Sequence, residues 1–128
     1  MTGKPLARGF TLVELLVVMT IIATLLSISA PRYMRSVDDA RESALKSSLG
    51  QLREALDHYH ADLGIYPQAL PDLIEKGYLR SVPVDPLTNS NRTWQLVPPS
   101  KGADAGAIYD VHSGAPGNSR QGEPYASW

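Results

Sequence analysis

Three places in this chain gather side chains with chemical potential. Asp57, His58, His60 and Asp62 are all metal-ligand types lying close together. On a helix, His58 and His60 point roughly 200° apart. A zinc pair wants i, i+4, as in His-Glu-x-x-His, so the group reads as the polar end of a helix and no metal is assigned. His112 and Ser113 are neighbours with no nucleophile pattern around them and read as loop residues. Glu14 is a different case, the single ionisable side chain between Phe10 and Ala30. A carboxylate in such a run costs energy, so it calls for a partner or a purpose. No Gly-rich loop joins a strand to a helix and no Ser/His/Asp set stands in recognisable context. The chain carries no enzyme signature, and no residue is assigned a catalytic role.

The segment holding Glu14 counts 30 − 10 + 1 = 21 residues, Phe10 to Ala30. As a helix it reaches about 30 Å, the thickness of a bilayer's hydrocarbon core. Residues 1–9 before it are short, polar and basic, with Lys4 and Arg8, and are set apart as a leader. Pro31 removes one helical hydrogen bond and crowds the preceding turn, which predicts a kink. The apolar pattern nevertheless resumes at Tyr33, Val37, Ala40, Ala44, Leu45, Leu49, Leu52, Leu56 and Tyr59, one stripe at helical spacing. The opposite face is a solvated mixture including Asp38, Asp39, Arg41, Glu42, Lys46 and Arg53. One long helix to about Tyr59 is therefore expected, kinked near Pro31, apolar in its first half and amphipathic in its second.

Beyond it, Gly64-Ile65-Tyr66-Pro67 closes the helix, and Pro71 to Lys76 reads as a short helix stopped at Gly77. Residues 82–86 are extended around Pro83 and Pro86, and 87–91 form a turn. Thr93–Val97 and Ala107–Val111 are strand candidates, separated by a loop from Pro98 to Gly106. The tail from His112 to Ser127 is irregular, with Trp128 expected to pack as an anchor. The fold class is α+β: a long N-terminal helix on a small antiparallel sheet with irregular loops.

A length of 128 residues fits one domain plus a membrane segment. The net charge of −1 excludes a basic surface for nucleic acid, and the absence of cysteine excludes a disulfide framework. Arg32, Arg35 and Arg41 follow the span while Lys4 and Arg8 precede it, so the positive-inside count does not orient it. A secretory signal cut after Ser27-Ile28-Ser29-Ala30 fits less well, because the run is too long, holds Glu14 and is followed by Pro31.

The string Arg8-Gly9-Phe10-Thr11-Leu12-Val13-Glu14 resembles the class III signal of type IV pilins and type II secretion pseudopilins. The resemblance implies that prepilin peptidase cuts between Gly9 and Phe10, that Phe10 becomes N-methylated, and that Glu14 pairs with the amine of a neighbouring subunit during assembly. Removal of Lys4 and Arg8 leaves 10 basic side chains (12 − 2) against 13 acidic ones. Gly64-Ile65-Tyr66-Pro67, Leu73 to Leu79, Val82-Pro83-Val84-Asp85-Pro86, Tyr109-Asp110-Val111 and the final Trp extend the resemblance to the major (G-type) pseudopilins of type II secretion. That subfamily binds calcium in its C-terminal loop through aspartates. Here Pro116 and Tyr125 stand at those positions, so the calcium site is expected to be lost, with Asp110 and Glu123 the remaining carboxylates.

The resemblance implies three parts: leader 1–9, membrane and filament-core helix 10–30, and a pilin-like periplasmic domain 31–128. It implies a structural subunit in the bacterial inner membrane that polymerises with itself and with minor pseudopilins into a periplasmic pseudopilus driving protein export. Implied partners are prepilin peptidase, an inner-membrane assembly platform and membrane lipid, with no cofactor. A type IV pilus subunit, major or minor, is the related alternative, and a membrane-tethered periplasmic binding domain the more distant one.

Overall fold

A computed structural model describes residues 3, 8–100 and 107–128. Most of the leader 1–9 and the part of the expected 98–106 loop from residue 101 onward lie outside the described residues. The elements run in the order α1 (Leu12–Leu63), α2 (Leu70–Glu75), β1 (Gln95–Val97), β2 (Asp110–His112) and a final 3-10 turn, Tyr125–Ser127. The chain divides into two compact units, Met1–Asp38 and Asp39–Trp128.

In the first unit α1 starts immediately after Thr11. Its side chains through Ile28, Leu12, Val13, Leu15, Leu16, Ile21 and Leu25 among them, are exposed. By length and composition this part of α1 can cross a membrane. Its hydroxyls are turned inward on the backbone: Thr20, Thr24 and Ser27 donate to the carbonyls of Leu16, Thr20 and Ala23, each at 2.8 Å. That lets these three hydroxyls sit in an apolar medium with their donors satisfied. Pro31 lies inside the helix.

In the second unit the amphipathic part of α1 buries Leu45, Leu49, Leu52, Ala55, Leu56 and Tyr59, one stripe at three- and four-residue spacing. These pack with Leu70, Leu73, Trp94, Ile108 and Val111 into one core. Burying each such leucine is worth about 1.5–3 kcal/mol, so the stripe holds the unit together. The helix runs one turn beyond Tyr59 and stops at Gly64, whose φ of 71° makes it a left-handed cap with its N–H on the carbonyl of His60 at 2.8 Å. At α2, Asp72 accepts from the N–H groups of Gln68 and Ala69, tying off the helix start.

β1 and β2 pair antiparallel with Leu96 opposite Val111. Both strands are shorter than the alternation predicts. Ala107 and Ile108 are buried but stand outside the ladder, because the Ile108 N–H goes to the carbonyl of Pro67 at 2.8 Å. Trp94 also lies outside β1, buried with its indole N–H on the carbonyl of Pro83 at 2.8 Å. The backbone here serves tertiary packing rather than a longer sheet.

Candidate functional site

The start of α1 assembles the residues singled out in the sequence. Thr11 and Glu14 form a reciprocal cap: the Glu14 N–H donates to Thr11 Oγ1 at 3.1 Å, and the Thr11 N–H donates to Glu14 Oε2 at 3.2 Å. This is the Thr-x-x-Glu capping box, with Glu14 at the third helical position. Glu14 therefore has a partner within its own chain, at the positive end of the helix dipole where a carboxylate is favoured. Thr11 is the residue the sequence reading passed over, although the Thr-x-x-Glu spacing ahead of an apolar run carries the signal.

The cap ends the helix at Thr11 and leaves Gly9 and Phe10 as non-helical, exposed backbone, with Phe10 86% accessible. Arg8, Gly9, Phe10 and Glu14 line a shallow cavity of about 260 Å³. A Cβ on Gly9 would meet no heavy atom within 4 Å, and its φ is outside the left-handed region. Among the described residues, neither packing nor backbone conformation requires glycine there.

The remaining candidates have structural employment. His58 lies 3.6 Å from the Glu54 carboxylate, His60 stacks on Tyr66 at 4.1 Å, and Asp62 accepts from the Tyr78 hydroxyl at 2.7 Å. That hydrogen bond, then burial, then the Asp62 charge, raise the Tyr78 pKa above its ordinary 10.0. His112 and Ser113 take separate partners. His112 Nδ1 meets the Trp128 carbonyl oxygen, while buried Ser113 donates to Asp85 Oδ2 at 2.6 Å. Asp85 is itself fully buried and also accepts from the Leu87 N–H at 2.9 Å. Next to this pair Gly114 lies against Thr93 so closely that a Cβ would fall 1.9 Å from its carbonyl oxygen. Only glycine fits there.

The C-terminal segment is pinned to α1 by side chains. Arg120 Nη1 meets Asp39 at 2.6 Å, and the Arg120 N–H and Tyr125 hydroxyl both donate to Glu42 Oε1, at 3.1 and 2.9 Å. Trp128 packs against the core with Lys46 Nζ 4.7 Å from its ring centre. At the positions of interest for calcium, Pro116 offers no side-chain oxygen, the Tyr125 hydroxyl donates to Glu42, and Asp110 is held by Arg53 Nε at 2.8 Å. Among the described residues no group of three or more His, Asp or Glu could hold a metal.

A long helix with an exposed apolar beginning, joined to a small α+β unit, defines a pilin-like protein. The family description "Prokaryotic N-terminal methylation motif" matches residues 4–30. Type II secretion system core protein G of Klebsiella michiganensis is 33% identical over 126 residues, covering 86% of this chain and 87% of that protein. The Escherichia coli protein of the same name is 34% identical over 125 residues, covering 85% and 81%. That of Pseudomonas aeruginosa is 34% identical over 110 residues, covering 73% and 76%. No solved structure matches the chain significantly. The chain belongs to the family of type II secretion system core protein G, the major pseudopilins. Its relatives are secretion-system proteins by name, and the chain is not an enzyme.

Proposed function

We propose that this chain is the structural subunit of a type II secretion pseudopilus, stored in the inner membrane through residues 10–30 with its C-terminal unit in the periplasm. Prepilin peptidase cuts between Gly9 and Phe10, Phe10 is N-methylated, and the subunits polymerise through their N-terminal helices with minor pseudopilins. An assembly platform lifts them from the membrane, and Glu14 meets the Phe10 amine of the next subunit. No calcium is used. The observation that carries the reading is Gly9. It lies with Phe10 in open, non-helical backbone ahead of the Thr11 cap, where a peptidase can reach the bond between them, and no contact among the described residues accounts for glycine there. The capping box supports the same reading, because it stops the helix short of the bond to be cut.

Mass spectrometry of protein from the native membrane tests this. The expected species begins at Phe10 and carries one N-methyl group. A terminus at Pro31, or an intact leader in cells with active prepilin peptidase, contradicts it.

A further inference from the structure

Two arginines just past the apolar span have no role in the account above. Arg32 and Arg35 are exposed and make no ion pair or hydrogen bond among the described residues. They flank Tyr33 and Met34, which are 71% and 67% exposed. We infer that Arg32 and Arg35 clamp the phosphates of anionic phospholipids in the leaflet at the C-terminal end of the span, fixing the depth of the stored protomer.

The argument is one of depth. With the apolar run ending at Ala30, a rise of 1.5 Å per residue puts Arg32 about 3 Å and Arg35 about 7.5 Å beyond the hydrocarbon. The headgroup layer is roughly 5–7.5 Å thick on each side, so Arg32 lies within it and Arg35 at its outer edge, where a long side chain reaches back to phosphate. Tyr33 falls at the same level, where an amphipathic ring is favoured. Arg41, about 16 Å beyond the run, is out of reach. One turn on from Arg35, Asp38 is exposed and makes no ion pair with it among the described residues; Asp39 is engaged by Arg120. The chemistry suits lipid, since a guanidinium fork binds phosphate oxygens in pairs. Removal of the leader sharpens the effect. Cleavage takes away Lys4 and Arg8, so the basic side chains nearest the span then all lie at its far end.

The inference rests on residues 10–30 being a membrane span, and the test separates the two. The full chain is reconstituted into nanodiscs of equal phosphatidylglycerol and phosphatidylcholine, and the lipids retained on ejection are counted by native mass spectrometry. The wild type should retain phosphatidylglycerol preferentially. Arg32→Gln with Arg35→Gln should reduce that preference by about fivefold per arginine, and Arg41→Gln should leave it unchanged. An unchanged preference in the double variant overturns the inference. So does a double variant that keeps its lipids but loses self-association, which would assign the arginines to a second copy of the chain. A chain that fails to enter nanodiscs overturns the membrane reading itself.

Discussion

Glu14 shows how one residue can serve two states. In the single chain its carboxylate closes the first turn of α1 by accepting from the Thr11 N–H, and the proposed assembly gives it the amine of a neighbour. The need for a partner was legible, since a lone carboxylate in an apolar run demands one, but the cap on Thr11 was not read from the sequence. The buried Asp85–Ser113 pair was not legible, because 28 positions separate the two and only the folded chain brings them together. Its energetic weight is testable. Ser113→Ala strips a buried carboxylate oxygen of its donor, at a cost of about 2–3 kcal/mol. In a domain of this size, melting followed by fluorescence of Trp94 and Trp128 should fall on the order of 10 °C; an unchanged midpoint would show the pair to be idle. Tyr78 makes a second residue-scale prediction. Its bond to Asp62 raises the folded pKa above 10.0, so its contribution is present below pH 10 and is lost as pH rises through the raised value. Between pH 9 and 11 the urea midpoint of the wild type should fall relative to Tyr78→Phe. Parallel curves would deny the linkage.

Among the elements, α1 was the easiest to read, because its stripe keeps helical spacing and Leu45, Leu49, Leu52, Leu56 and Tyr59 form the core, although Tyr33, Ala40 and Ala44 at the start of the expected stripe are exposed. The strands were overextended. Alternation in Ala107–Val111 marks which side chains are buried, but it cannot say that the Ile108 N–H leaves the ladder for Pro67. The tail was least legible. Gly- and Pro-rich composition reads as irregular, while its order comes from α1: Asp39 and Glu42, seemingly part of a solvated face, hold Arg120 and Tyr125. Glu42→Ala removes two acceptor contacts and should cost about 1–2 kcal/mol. Hydrogen exchange at residues 117–125 should rise with it, and calcium should not restore protection in either form. A ligand at 100 times its Kd adds about 2.7 kcal/mol, equivalent to roughly 10 °C or more. A calcium-dependent melting shift of that size would contradict a side-chain-fastened tail.

For the whole molecule the central claim is that a helix stable in lipid becomes the core of a polymer, and Glu14 is where the two states differ. In the membrane a carboxylate near the end of a span reaches toward water. In the proposed filament it would be surrounded, and the proposed pairing with the Phe10 amine of the next subunit would cancel two buried charges and select one axial stagger. Removing one partner of such a pair costs about 3–5 kcal/mol. The direct measurement is filament recovery from cells overexpressing wild type, Glu14→Asp and Glu14→Ala, with leader removal followed on the same samples. Glu14→Ala should be inserted and cleaved as usual yet yield few or no filaments, and Glu14→Asp an intermediate amount. Wild-type filament levels from Glu14→Ala would contradict the assembly mechanism.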